Sequence, residues 1–114
     1  MREPPTLSNL EYHVLLALAD GALYGYALKE AVVRESGGAL TPRAGSLYRV
    51  LARMMSRGLV EEVTREDPAP HPGLDRKYYA LTRRGRQALA REAARLREVA
   101  VLAQRRLRLA ERGL

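Results

Sequence analysis

T-P-R-A-G-S-L-Y-R-V-L-A-R-M-M-S-R-G occupies residues 41–58 and carries its own punctuation. Thr41 suits an N-cap, Pro42 the first helical position, and Gly58 the left-handed residue just past a helix end. Between them the spacing predicts a helix of about four turns. Leu47, Val50, Leu51 and Met54 recur at i, i+3, i+4 and i+7 and share one apolar face. The opposite face carries Gly45, Ser46, Arg49, Ala52, Arg53 and Ser56, with no acid anywhere in the segment. A helix that is apolar behind, cationic in front and slim has the shape that enters the major groove of DNA. An ordinary amphipathic helix with a basic solvated side fits the same residues, and the neighbouring segments decide between the two.

The whole chain is 114 residues, enough for one domain with an appendage. With no cysteine it has no disulfide and no thiolate metal site, which agrees with a reducing, cytoplasmic setting. No segment reaches the ~18 apolar residues of a membrane span, so no membrane partner is expected. The net charge of +7 is unevenly placed. Residues 1–81 hold ten Lys/Arg against ten Asp/Glu, whereas residues 82–114 hold ten Arg against three Glu. High pI is therefore a weak pointer to DNA, since the body is neutral. The segregation of Arg43, Arg49, Arg53 and Arg57 into an acid-free stretch is a better one. Arginine outnumbers lysine eighteen to two, which reads as coding bias in a G+C-rich genome rather than mechanism.

Upstream, Ser8 and Glu11 form a capping-box pattern that starts a helix running to about Ala19. Leu7, Leu10, Val14 and Leu18 face the core, with Leu15 or Ala17 at the margin. Asp20-Gly21 is a turn signal, and a second helix spans Tyr24 to Ser36, ended by Gly37-Gly38, with Ala27, Leu28, Ala31 and Val32 inward. Downstream, residues 59–65 and 77–81 read as strands. Pro68, Pro70 and Pro72 between them cannot sit in a paired strand, so residues 66–76 form the tip of a hairpin. Three helices followed by a hairpin is the order of a winged helix-turn-helix. The fold class is mainly α with a small β-hairpin, residues 1–81 forming the winged domain.

Residues 82–114 are expected to form one long dimerisation helix, with Thr82 its N-cap. Leu89, Ala93, Leu96, Ala100, Ala103, Leu107 and Ala110 follow alternating spacings of four and three, a heptad seam narrow enough for close approach. A stripe this long exceeds what an 80-residue domain can cover, which predicts a second copy as partner. Folding back along its own domain is the competing arrangement.

Y-G-Y-A-L-K-E at 24–30, G-S-L-Y-R-V-L-A-R-M at 45–54, G-L-V-E-E at 58–62 and R-K-Y-Y-A-L-T-R-R-G-R-Q-A-L at 76–89 resemble PadR-family transcriptional regulators. The resemblance covers residues 7–90 in order and spacing. It implies a winged-helix domain that binds palindromic operators as a dimer, mostly in repression, with C-terminal helices making the dimer contact. It also implies, for some members, a small aromatic or cationic effector. The single C-terminal helix looks like the short-tailed branch, and the Pro-rich wing tip departs from the commoner Gly/Arg-rich one.

On that reading Ser46 and Arg49 are the candidates for base edges, since Arg to guanine is the commonest specific contact, and Gly45 lets the backbone come close. Thr41, Arg43 and Tyr48 are candidates for phosphate, which fixes register without specifying sequence. Packing of Tyr48 on the second helix is the alternative for that ring. Arg53 is either a flanking-phosphate contact or solvated, Tyr26 and Lys29 are candidates for the backbone, and Arg76 and Lys77 lie where a wing meets the minor groove. Of Tyr78 and Tyr79, strand alternation turns one inward.

Catalysis is not expected. His13 and His71 are far apart with no cysteine to complete a zinc site, and no phosphate loop or nucleophile elbow is present. No cofactor or metal is implied. Two further readings fit the residues. One is a winged helix used for protein–protein contact; the other is a basic C-terminal helix lying on an acidic partner or membrane surface.

Overall fold

The computed structural model describes residues 7–64 and 77–113. Its elements are α1 (Asn9–Ala17), β1 (Leu23–Tyr24), α2 (Gly25–Glu35), α3 (Ala44–Ser56), β2 (Val60–Val63), β3 (Tyr78–Leu81) and α4 (Arg83–Glu111). The three strands form an antiparallel sheet in the order β1-β3-β2. This is the mainly helical winged helix-turn-helix expected, with the long C-terminal helix present.

The core is built where three apolar helix faces meet the sheet. Val14, Leu15 and Leu18 of the first helical segment pack with Leu28, Ala31 and Val32 of α2, Leu47, Val50, Leu51 and Met54 of α3, and Leu59, Val60 and Tyr79. Each fully buried leucine withdraws enough surface to contribute roughly 1.5–3 kcal/mol relative to exposure. Leu15 is fully buried, so it belongs at the centre of the core rather than its margin.

The capping box at α1 is present: the Glu11 backbone N–H donates to Ser8 Oγ at 3.1 Å, and the Ser8 N–H donates to Glu11 Oε1 at 2.7 Å. The helix stops at Ala17, two residues before the expected end. Gly37 and Gly38 end α2 in the left-handed region, with φ of 65° and 82°. The start of α3 differs from the reading of Thr41 as N-cap and Pro42 as first helical residue. Arg43 is the N-cap, extended at φ −75° and ψ 154°, and the first helical residue is Ala44. A residue before proline is driven to extended backbone, and here the extension persists through Arg43.

At two residues, β1 is too short to be legible in the sequence. Pairing of Leu23 with Tyr79 and Tyr24 with Tyr78 makes it the third strand. Tyr79 is the one of the two tyrosines that turns inward, and β1 accounts for the burial of the other. Tyr79 joins the core, while Tyr78 is buried on the other side against Tyr24, the rings edge-on with centroids 5.7 Å apart. The expected wing tip, residues 66–76, and Arg76 with it, lies outside the described residues.

The first turns of α4 are fastened to the winged domain. Thr82 Oγ1 donates to the Gly58 carbonyl at 2.7 Å and accepts from the Gly85 N–H at 2.9 Å, while the Thr82 N–H donates to the Leu59 carbonyl at 3.2 Å. Further along, Arg86 Nη1 reaches the Ala19 carbonyl at 3.3 Å, and Glu92 accepts from the Leu7 N–H at 3.1 Å and from Arg95. Leu89 packs half-buried against its own domain's core, so the seam that stays uncovered begins after it. Residues 93–113 are exposed throughout.

Candidate nucleic-acid interface

Four buried residues, Leu47, Val50, Leu51 and Met54, fix the rotation of α3 about its axis. That rotation turns Gly45, Tyr48, Arg49, Ala52, Arg53 and Ser56 outward. Arg49 is held in place within the helix, its Nη2 donating to Ser46 Oγ at 3.3 Å, so the two candidates for base contact act as one unit. Gly45 has nothing but the Arg49 guanidinium near the position of an absent Cβ, at 3.7 Å, which leaves its backbone bare for close approach. Thr41 and Arg43 are exposed beside the first turn of α3, which has no side-chain cap of its own. Uncapped N–H groups at a helix start are suited to binding anionic oxygens.

Tyr48 is both exposed and packed. The residue is 53 % exposed, while its hydroxyl sits over Gly25 at the start of α2, 2.9 Å from where a Cβ would be. The contact with Gly25 is the packing on α2 given above as the alternative for this ring. Tyr26 is exposed at 64 %, and a hydrogen bond to Glu30 raises its hydroxyl pKa above the ordinary value. Lys29 is half-buried on the same helix, and Lys77 is exposed at the foot of β3.

Arg53 is not the free cation that the acid-free segment suggests. Its Nε lies 3.6 Å from Glu11 Oε2 of α1, and Arg57 Nη1 lies 3.3 Å from the same oxygen. Glu11 is 6 % exposed. Burial pushes its carboxyl up, but hydrogen bonds from Ser8 and the charges of Arg57 and Arg53 outweigh that and leave its pKa below the ordinary carboxylate value. A sequence signal exists: Glu11 is four residues after Leu7 and three before Val14, an acid on an inward face. Gly25, Gly85 and Glu92, by contrast, have no such signal, because each is explained by a residue distant from it in the chain.

Among the described residues no group of His, Cys, Asp or Glu is arranged to hold a metal ion. No described helix is long and apolar enough to cross a membrane.

The family model for the transcriptional regulator PadR-like family matches residues 14–91. The chain belongs to this family. PadR-like proteins are transcriptional regulators rather than enzymes. The fold matches a PadR family transcription regulator from hypervirulent Clostridium difficile R20291, with a TM-score of 0.73 and 25 % identity over 88 % of this chain and 99 % of that one. It also matches Bacillus subtilis PadR in complex with operator DNA, with a TM-score of 0.61 and 26 % identity over 73 % of this chain and 45 % of that one. An uncharacterized 37.1 kDa protein of transposon TN4556 from Streptomyces fradiae is 45 % identical over 80 residues. Those residues are 70 % of this chain, which spans only 21 % of that curated relative. The PadR-like match includes α3, both longer strands and the first turns of α4, and stops two residues before α4 becomes continuously exposed.

Proposed function

We propose that the chain binds double-stranded DNA as a homodimer and represses transcription from a two-fold-symmetric operator. The outward face of α3 carries this reading: Arg49 braced by Ser46, beside a glycine whose backbone is bare. Arginine at that place reads guanine through its N7 and O6, and the exposed Thr41, Arg43, Tyr48 and Lys77 set register on phosphates. The operator complex of the Bacillus subtilis relative supports the same partner here.

The homodimer reading rests on α4. Ala93, Leu96, Ala100, Ala103, Leu107 and Ala110 form an apolar line along an exposed helix, flanked by Val99 and Leu102. Pairing with a second copy of the same helix covers that line and presents two copies of α3 at a fixed separation, about 34–36 Å or a multiple of it. Residues 1–81 then serve as the DNA-binding part and residues 82–114 as the pairing part, with the first turns of α4 rigidly joined to the former. A small-molecule effector that changes the angle between the paired helices and the winged domains changes this separation, and by linkage DNA changes its affinity in return.

Selection of bound duplexes from a random-sequence pool with the purified chain tests the reading. Enrichment of a symmetric site is expected, and Arg49→Ala should reduce its advantage over a scrambled duplex by ~1–3 kcal/mol. No enrichment, or full discrimination by the Arg49→Ala variant, would overturn it. Sedimentation of Leu96→Glu/Leu107→Glu, expected to be monomeric where the parent chain is dimeric, checks the pairing.

A further inference from the structure

The reading face of α3 contains one arginine that already has an anion. Arg53 is four residues after Arg49 and seven after Ser46, so the three share a stripe, yet among the described residues only Arg53 is paired outside its own helix. Its partner Glu11 is almost fully buried, belongs to α1, and is locked in direction by the capping box with Ser8. One carboxylate thus serves two guanidiniums, Arg53 at 3.6 Å and Arg57 at 3.3 Å. Its oxygen offers them what a DNA phosphate would offer, a fixed anionic acceptor.

We infer that Glu11 is a positioning residue for sequence discrimination: it occupies Arg53 and Arg57 as an internal counter-ion and so suppresses sequence-independent phosphate binding by the second half of α3. The inference rests on the proposed DNA reading by Ser46 and Arg49. Contacts to phosphate add affinity for every duplex alike, so each cation withheld from phosphate lowers non-specific binding while the base-reading contacts are kept. Arg57 is largely covered, but Arg53 is 58 % exposed and needs only to leave Glu11 to reach a backbone oxygen. A buried acid beneath a cationic stripe therefore trades raw affinity for contrast between sites.

Glu11→Gln tests this, because glutamine retains the capping-box hydrogen bond while removing the charge. Binding is measured by fluorescence anisotropy on the selected duplex and on a scrambled duplex of the same composition, across a salt series. The variant should bind the scrambled duplex severalfold more tightly than the parent chain at low salt. Its log–log salt slope should steepen by about 0.9, the equivalent of one more phosphate contact. The ratio of selected to scrambled affinity should fall, and adding Arg53→Ala to Glu11→Gln should reverse the gain. Glu11→Asp, which keeps the charge but shortens the arm, should move in the same direction by less and covers the case in which Glu11→Gln does not fold. Unchanged or weakened scrambled-duplex binding in a cooperatively melting variant overturns the inference. If the parent chain discriminates through Arg49 and the Glu11 variants bind scrambled duplex as the parent does, this inference alone fails; if the parent does not discriminate, both fail.

Discussion

The α-carbon of Gly85 in α4 is pressed against the Leu59 carbonyl, so that a methyl group there would overlap the oxygen and stand 3.0 Å from the carbonyl carbon. The obstacle is backbone and cannot rotate away, and Leu81 Cδ2 closes the remaining side at 3.3 Å. Glycine inside an exposed helix ordinarily loses about 1 kcal/mol relative to alanine. Here the sign reverses. Gly85→Ala should cost roughly 1–3 kcal/mol, as overpacking does, or some 4–8 °C in Tm per kcal/mol for a domain of this size. Thermal melting monitored by circular dichroism checks it; a melting temperature equal to or above that of the parent chain contradicts it.

Gly25 and Tyr48 make a milder pair. A Cβ at Gly25 would meet the Tyr48 hydroxyl at 2.9 Å, the far end of a side chain that can swing. Gly25→Ala should therefore leave the fold within about 1 kcal/mol of the parent while displacing Tyr48 and weakening DNA binding. Tyr48→Phe removes the obstructing oxygen, so in that background Gly25→Ala should cost less stability. A double-mutant cycle with a coupling of at least ~0.5 kcal/mol is the expected result.

Gly45 should respond in the opposite way from Gly85. Only the Arg49 guanidinium lies near its absent Cβ, at 3.7 Å, so alanine fits the free protein. Gly45→Ala should hold or raise Tm, in line with helix propensity, yet weaken operator binding by crowding the approach of backbone to DNA. Parallel melting and anisotropy measurements separate the two effects.

Acid should act through Glu11. Its carboxyl is held below its ordinary value in the fold, with burial opposing and Ser8, Arg57 and Arg53 together prevailing. The stabilisation it gives is complete above the unfolded-state value and is lost as pH falls through the folded one. Tm should therefore decline as pH drops below the ordinary carboxylate range, and Glu11→Gln should flatten part of that decline. Identical pH profiles for the two proteins would count against the pairing.

Periodicity makes α1, α2, α3 and α4 legible, since each has an apolar face that repeats often enough to be counted. It cannot reveal β1, because two residues have no alternation, and without β1 the burial of Tyr78 against Tyr24 has no cause. Capping preference misplaces the start of α3, where Thr41 is an adequate cap by type but the chain stays extended through Arg43. On the candidate interface, the outward set of α3 is the complement of its buried set and can be read with it. The neutralisation of Arg53 cannot, because Glu11 lies 42 residues away and only the packing of α1 brings it near. Residues that shape the site by contact across the fold leave little local trace.

The knot of bonds joining Thr82 to Gly58, Leu59 and Gly85 makes a stiff elbow, and the helix beyond it works as a lever arm. From residue 93 to residue 111, α4 extends about 27 Å at 1.5 Å per residue. Over that length a tilt of about ten degrees at the elbow displaces the tip by roughly 5 Å, close to one helical pitch. Paired arms of this kind behave as callipers: a slight misfit at the jaws becomes a lost register at the handles, so the proposed dimer would gauge the span of its site as strictly as its sequence.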